Sequence, residues 1–210
     1  TFGSDPNAKV TKKSKSPLSF HPIALIFGLL SFVSYLVEGA VGDWSALYLF
    51  EDKGIVVEEA VMGVMLFNGT MCIGRLLGNR LGKHLTSKQV VVGGYLLGSI
   101  AMGLIVFLPG HASMYTYLLL GISLAMIVPN LFSAMGEQNV IPMTQAVATS
   151  TMLGYMGILM GPALIGFIAH GTSLTVAFIV LTILLVVSAG IGKYAYHLMS
   201  KDCGLSEEQI

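Results

Sequence analysis

The sequence predicts an all-α membrane protein with six transmembrane helices. Of its 210 residues, 54% are hydrophobic and only 10% are charged, whereas an ordinary soluble domain is roughly one quarter charged. The apolar residues fall into six runs, each close to the roughly 20 residues that a helix needs to cross a hydrocarbon core about 30 Å thick. We predict spans at 21–49, 59–79, 89–108, 113–136, 145–169 and 174–197.

The charged residues indicate which ends of these spans share a side of the membrane. Because successive spans cross in opposite directions, only Lys53 of the 11 Lys and Arg residues falls on the side of the membrane opposite to the start of the chain. The positive-inside rule makes the side with the other ten cytoplasmic. We expect both chain ends in the cytoplasm, with 1–19 as a linker, 20–198 as the membrane bundle and 199–210 as a tail. The chain has no net charge and no basic patch with interleaved aromatic residues, and its two cysteines show no disulfide or metal-site spacing. We therefore predict no nucleic-acid partner, metal or cofactor.

The first span carries two acids, Glu38 and Asp43, with Gly39 and Gly42 between them. A charge at the centre of a membrane helix costs about 2.5–3.5 kcal/mol, which favours a role in a solute pathway. One predicted helix face carries Ser31, Tyr35, Glu38, Gly42 and Ser45. The span is too long for a straight crossing, so we expect it to tilt, overhang the membrane, or break near the glycines. An unbroken helix places Asp43 about 140° from Glu38, which favours a helix-end or gate residue unless a break turns it inward.

The second and fourth spans carry polar residues at seven-residue spacing. In the fourth span these are Thr116, Ser123, Asn130 and Glu137. Such a stripe fits either hydrogen bonding between packed helices, worth about 0.6 kcal/mol per bond, or the lining of a water-filled cavity. In the second span, Asn68 and Arg75 lie seven apart with Cys72 between them, and we expect Asn68 to line the same pathway.

The remaining spans are predicted to pack rather than to bind. The fifth span has a small-residue face, which predicts close approach of helix backbones. This face comprises Ser150, Gly154, Gly157 and Gly161, followed by Pro162. The third and sixth spans have no ionisable residue in their apolar centres and read as outer helices. Polar character thus falls from spans one and four, through two and five, to three and six, which predicts a 3+3 inverted repeat.

The connection between the second and third spans resembles a cytoplasmic signature of the major facilitator superfamily. Its glycines and basic residues are Gly74, Arg75, Gly78, Arg80, Gly82 and Lys83. The lysine-rich start resembles the central loop of those transporters, 157–162 resembles a motif of helix 11, and 38–44 resembles helix 7 in a bacterial branch related to sugar permeases. The resemblance implies helices 7–12, the carboxyl-terminal half of a twelve-helix fold in the bacterial inner membrane. Unless the chain dimerises, it implies an amino-terminal half as partner.

One position departs from the family pattern. Where the signature usually has an aspartate before the arginine, this chain has Asn79, so a local acid–arginine latch cannot form. We expect Glu137, at the cytoplasmic end of the fourth span, to replace it and to contact Arg75 or Arg80 when the cytoplasmic side is closed.

These features predict secondary active transport of a small polar, sugar-like solute by alternating access, coupled to protons. We expect Glu38 to carry the proton or bind solute hydroxyls, because burial favours the uncharged form of a carboxyl group. Ser123 and Asn130 are expected to hydrogen-bond the solute. Three aromatic residues could stack on a sugar ring, namely Tyr35, Trp44 and Tyr155. The competing interpretation of Trp44 is an anchor at the membrane interface.

Two other classes compete with a transporter. Intramembrane proteases use Gly-x-Ser-Gly or Gly-x-Gly-Asp sequences, and the chain contains neither, so we predict no enzyme activity. The other alternative is a non-transporting membrane scaffold or truncated pseudo-transporter, which the sequence does not separate from a carrier.

Overall fold

The computed structural model describes residues 18, 21–81, 85–138 and 140–203, apart from the side chains of 79–81 and 202–203. Most of the predicted linker and tail therefore lies outside the described residues. The described residues form seven helices, which are α1 (Pro22–Glu51), α2 (Val57–Leu81), α3 (Ser87–Phe107), α4 (Gly110–Ala125), α5 (Ile127–Glu137), α6 (Met143–Gly171) and α7 (Leu174–Cys203). Because α4 and α5 together make one span, the described chain has six helical segments long and apolar enough to cross a membrane, as predicted.

Local sequence accounts for several helix boundaries. Pro22 occupies the first turn of α1, where its missing N–H has no intrahelical partner to lose. At the start of α3, Thr86 accepts a 3.3 Å bond from the backbone N–H of Gln89, whose side chain accepts a 3.1 Å bond in return. This capping box satisfies two backbone donors that the helix itself leaves unpaired.

The helix pairs show the predicted repeat. Helix α1 packs chiefly on α6, α2 on α4, and α3 on α7. The first three spans are α1, α2 and α3, and their counterparts in the second triplet are α4–α5, α6 and α7. If each helix is replaced by its counterpart, the α1–α6 pair becomes the α4–α2 pair, and the α3–α7 pair stays the same. Helices of the two triplets thus pack in matching roles, as expected for a 3+3 inverted repeat.

Helix α1 is continuous. Of the three expected geometries, a tilt, an overhang or a break near Gly39 and Gly42, the expectation of a break is therefore wrong. Its 30 residues extend about 45 Å at 1.5 Å per residue, which exceeds the roughly 30 Å hydrocarbon core. The helix must therefore tilt or project beyond the core. Glu38 lies near its middle, 16 residues after Pro22 and 13 before Glu51.

The fourth span, predicted as one helix, is interrupted at Met126 between α4 and α5. Pro129 explains the interruption, because a proline has no N–H to bond the carbonyl four residues earlier and its ring clashes with that carbonyl. That carbonyl belongs to Ala125, the last residue of α4. Glycines of α2 face this break. A Cβ on Gly74 would lie 2.6 Å from the Ala125 Cβ, and one on Gly78 would overlap the Met126 sulfur.

Glycines bring the backbones of α1 and α6 into close approach. A Cβ on Gly161 would lie 2.5 Å from the Leu36 carbonyl oxygen, and one on Gly157 would overlap the Phe32 carbonyl. From the other helix, a Cβ on Gly39 would lie 2.8 Å from the Ile158 carbonyl oxygen. Because the neighbours here are backbone atoms, no side-chain rotation could make room for a larger residue.

Polar side chains hold two connections between spans. The Lys53 ammonium group donates bonds of 2.6 and 2.9 Å to the carbonyls of Val106 and Leu108, at the negative end of the α3 dipole. Burial lowers the pKa of Lys53, and the nearby Asp52 carboxylate opposes that shift. At the α5–α6 connection, the side chain of Gln138 bonds two carbonyls and two amides of the turn. Lys53, the one basic residue outside the predicted cytoplasmic set, thus has a structural role.

We predict that Gly157→Ala lowers the free energy of unfolding by about 1–3 kcal/mol, the usual cost of overpacking a close contact. Denaturant titration of the purified protein in detergent measures the change. Gly93→Ala is the matched control, since a Cβ on Gly93 meets nothing within 4 Å, and it should change stability by no more than about 0.5 kcal/mol. Equal effects of the two substitutions would contradict the close α1–α6 approach.

Candidate functional site

An ion pair joins the middle of α1 to the last two turns of α2. A terminal nitrogen of Arg75 lies 3.2 Å from one carboxylate oxygen of Glu38 and 3.5 Å from the other. The side chains are only partly covered, with 45% of Arg75 and 23% of Glu38 exposed. Each charge would be costly alone in a membrane span, so the pair stabilises both while leaving them open on one side.

Two tyrosines lie beside this pair. The rings of Tyr35 and Tyr155 stack with centroids 6.3 Å apart and planes 8° apart, and Tyr35 lies within electrostatic range of both Glu38 and Arg75. The stack is possible because a Cβ on Gly154 would lie 2.6 Å from the Tyr35 ring. Tyr155 is 64% exposed. We call the surface formed by Tyr35, Glu38, Arg75 and Tyr155 the open face.

The open face continues along α2. Asn68 and Cys72 precede Arg75 by seven and three residues and are both exposed, so the three lie on one side of the helix. The Asn68 amide donates a 3.0 Å bond to the Val64 carbonyl of its own helix, which leaves its side-chain oxygen available. Sequence spacing predicted the Asn68 and Arg75 positions but did not reveal that Arg75 pairs with Glu38.

Trp44 lies between α1 and α6 instead of on the open face. Its indole N–H donates a 2.9 Å bond to the Pro162 carbonyl, and a Cβ on Gly166 would lie 2.8 Å from its ring. The remaining edge of the indole lines a cleft of about 580 Å³ with Glu51 and His170, among others. Trp44 is thus held against α6 and does not join the open face, and its two interpretations from the sequence, solute stacking and an interfacial anchor, stay predictions.

Asp43 is exposed and lies apart from the ion pair. It lines a groove of about 430 Å³ together with Phe50 and Val57, where α1 ends and α2 begins. The continuous helix accounts for this separation, because it keeps Asp43 on a different side of α1 from Glu38. The role of Asp43 as a helix-end or gate residue stays a prediction.

Several residues of the predicted polar stripes are buried inside the bundle. Ser31 and Ser45 of α1 have no exposed surface, and Thr116 and Ser123 of α4 are also buried. Ser123 donates a 2.7 Å bond to the Leu120 carbonyl, and its oxygen would lie 3.2 Å from a Cβ on Gly98 of α3. The expectation that Ser123 faces the solute is therefore wrong for this structure. Seven-residue spacing identified a shared helix side, but not whether that side faces outward.

Asn130 and Glu137 follow the interruption at Met126 and are less covered. The Asn130 amide donates a 2.8 Å bond to the Met126 carbonyl, and Glu137 is exposed at the end of α5. Glu137 lies within electrostatic range of Tyr196. In this structure Arg75 bonds Glu38, so the proposed contact of Glu137 with Arg75 is not the one observed.

The rest of the cytoplasmic motif lies outside the described residues or side chains. This applies to Asn79, Arg80, Gly82 and Lys83. The expected contact between Arg80 and Glu137 stays a prediction.

We predict that the charges of Glu38 and Arg75 are energetically coupled. Arg75→Gln should destabilise the protein more when Glu38 is present than in the Glu38→Gln background, because the first variant leaves an unpaired carboxylate. The coupling energy should be about 0.5–1 kcal/mol, since both groups are partly exposed. A double-mutant cycle by denaturant titration measures it, and additive effects of the two substitutions would contradict the pair.

Comparison with known proteins agrees with this architecture. The chain is 41% identical over 168 residues to an uncharacterised MFS-type transporter of Yersinia pestis, covering 79% of this chain and 43% of the relative. It is 31% identical over 151 residues to the membrane protein MosC of Rhizobium meliloti, covering 71% and 37%. The chain thus spans less than half the length of these relatives. No family model matches it.

The fold is also similar to that of a solved structure. The Escherichia coli fucose:proton symporter FucP superposes with a TM-score of 0.72 at 16% sequence identity, over 83% of this chain and 43% of the symporter. At that identity the match concerns the fold alone. Relatives in sequence and the fold together place the chain in the major facilitator superfamily, of whose transporter fold it forms half.

Proposed function

We propose that the chain is the carboxyl-terminal half of a secondary active transporter that moves a small polar, sugar-like solute by alternating access, coupled to protons. The Glu38–Arg75 pair, at the middle of α1 and open on one side, carries this proposal. The transporter name of the Yersinia relative and the proton-coupled sugar transport named for FucP support it by analogy.

Glu38 and Arg75 can exchange partners as a proton arrives. While Glu38 is ionised, its carboxylate accepts bonds from the Arg75 guanidinium. Protonation removes the negative charge, which weakens this bond and leaves Arg75 donors for an oxygen of the solute. A proton shifts a conformational equilibrium only by its differential affinity for the two states, and the change of partner provides such a difference.

The other groups of the open face suit a hydroxylated ring. Tyr35 and Tyr155 offer aromatic faces and hydroxyl groups, and Asn68 offers an amide oxygen one and a half to two turns from Arg75 on the same side of α2. A few polar groups among apolar and aromatic neighbours are typical of sites for small molecules.

The bundle needs a partner to complete a pathway. Helices α2 and α6 are the least buried of the six spans. They expose large apolar side chains such as Leu76, Leu159 and Phe167. We assign part of this surface to the amino-terminal half of the same transporter and the rest to membrane lipid. In this arrangement both described ends of the bundle, the start of α1 and the end of α7, lie at the cytoplasmic face of a bacterial inner membrane.

We predict that Glu38→Gln in the complete transporter abolishes pH-driven solute accumulation but retains counterflow exchange. Glutamine mimics the protonated carboxyl group, so exchange can proceed while coupling to the proton gradient is lost. Uptake and counterflow in proteoliposomes, with a panel of sugars and polyols, measure both. Glu58→Gln, at the exposed start of α2, is the control. Unchanged pH dependence of Glu38→Gln would refute proton coupling, and absence of counterflow in the unmodified protein would favour a scaffold.

We predict that Cys72 is accessible to water from the pathway. In a background where it is the sole cysteine, a small hydrophilic thiol reagent should modify it, because it is exposed three residues before Arg75. A transported solute should slow the modification by occupying the site. Mass spectrometry of time-resolved samples measures the rate. Val61→Cys, exposed near the start of α2, should react at a rate that the solute leaves unchanged, and equal protection of both positions would contradict a local site.

A further inference from the structure

The outward side of α7 changes from apolar to basic along its length. Four exposed aliphatic residues come first, Ile179, Ile183, Val186 and Val187. They are followed on the same side of the helix by Gly190, Lys193, Tyr194 and His197, which are also exposed. We call these eight residues the α7 stripe. In a membrane, its first part meets acyl chains and its second part meets the interface.

A small groove lies at the basic end of the stripe. It has a volume of about 270 Å³ and is lined by Gly190, Lys193, Tyr194 and His197. Gly190 leaves it open, because a Cβ at that position would meet nothing within 4 Å. The groove therefore offers an ammonium, a phenol and an imidazole around a space that no side chain of the described residues fills.

The described side chains of α7 and α3 include no acid, although Glu137 of α5 lies within electrostatic range of Tyr196 of α7. From Leu174 to Lys201, α7 contains no Asp or Glu, and α3 contains none at all. The start of α3 lies at this end of α7, since a Cβ on Gly192 would lie 3.6 Å from Val92, and it adds Lys88 one turn earlier. Basic pockets at the cytoplasmic ends of membrane helices attract anionic headgroups.

We propose that this groove binds the phosphate headgroup of an anionic phospholipid of the cytoplasmic leaflet, with an acyl chain along the α7 stripe. Ten residues separate Ile183 from Lys193, which is about 15 Å of helix and half of a hydrocarbon core about 30 Å thick. The apolar part of the stripe thus matches the depth of one leaflet. Lys193 supplies the charge, and Tyr194 and His197 supply hydrogen bonds to phosphate oxygens. The inference rests on the proposed topology and not on the transport chemistry.

Native mass spectrometry of the complete transporter in detergent tests the site, using phosphatidylglycerol and phosphatidylcholine with identical acyl chains. We expect preferential retention of phosphatidylglycerol and a loss of about fivefold in its affinity for Lys193→Gln, the factor that one lysine near an anionic surface contributes. Lys193→Arg should retain the lipid. Lys201→Gln is the matched control, because Lys201 is exposed on the same helix but does not line the groove.

A second variant tests whether the lipid binds in the groove or is attracted only by the positive charge of this end of α7. Gly190→Leu fills the groove without changing any charge, and it should weaken phosphatidylglycerol binding as Lys193→Gln does. Equal losses in Lys193→Gln and Lys201→Gln, no loss in Gly190→Leu, or equal retention of the two lipids would each overturn the proposal. Counterflow by Lys193→Gln is measured in parallel. Lost lipid with intact counterflow supports a separate lipid site, whereas a transporter without counterflow that still retains the lipid contradicts only the proposed function.

Discussion

The pairing of Glu38 with Arg75 is the constraint around which the bundle is arranged. A carboxylate in the middle of a membrane span needs a partner or water, and Arg75 reaches it from α2 at 3.2 Å. Helix α6 packs on the other side of α1. Helix α1 therefore lies between the ion pair with α2 and the largely apolar contact with α6. The side of α1 left between them carries Tyr35 and Glu38 of the open face.

The α1–α6 contact depends on backbone groups that the membrane cannot hydrate. Pro162 has no N–H, so the Ile158 carbonyl loses its usual donor within α6. Gly39 approaches that carbonyl closely enough for its Cα–H to face the oxygen, a weak but recurrent interaction between helices. The Pro162 carbonyl accepts the Trp44 N–H. Gly39 thus covers the carbonyl of α6 that Pro162 deprives of a donor, and irregular backbone within a membrane must be satisfied in this way by protein. The Trp44 bond adds a second polar link between α1 and α6.

The spans and their repeat could be predicted from the sequence, because long apolar runs and short basic connections reflect the thickness and charge asymmetry of the membrane. Whether the polar face of each helix is buried or points outward could not be predicted from the sequence. The Glu38–Arg75 pair does not follow from the sequence, because Arg75 belongs to the glycine- and arginine-rich motif of the connection and is expected to contact Glu137, whereas an arginine side chain spans several ångströms and here reaches Glu38 of the first span. Ser123 was misassigned because a serine in a helix can bond its own backbone, as it does here. The interruption at Met126 was also not predicted, although Pro129 is a sequence feature that could have indicated it.

The two contacts of α1 differ in how they respond to a proton. The α6 contact consists of backbone approach and an indole–carbonyl bond, neither of which changes with protonation of Glu38. The α2 contact includes the ion pair, whose attraction disappears when Glu38 is neutral. Protonation therefore weakens one side of α1 and leaves the other side intact. Because α2 also packs its glycines Gly74 and Gly78 against the α4–α5 interruption, a loosened α2 can shift relative to α1 and α6 at the point where the fourth span is already divided into two helices.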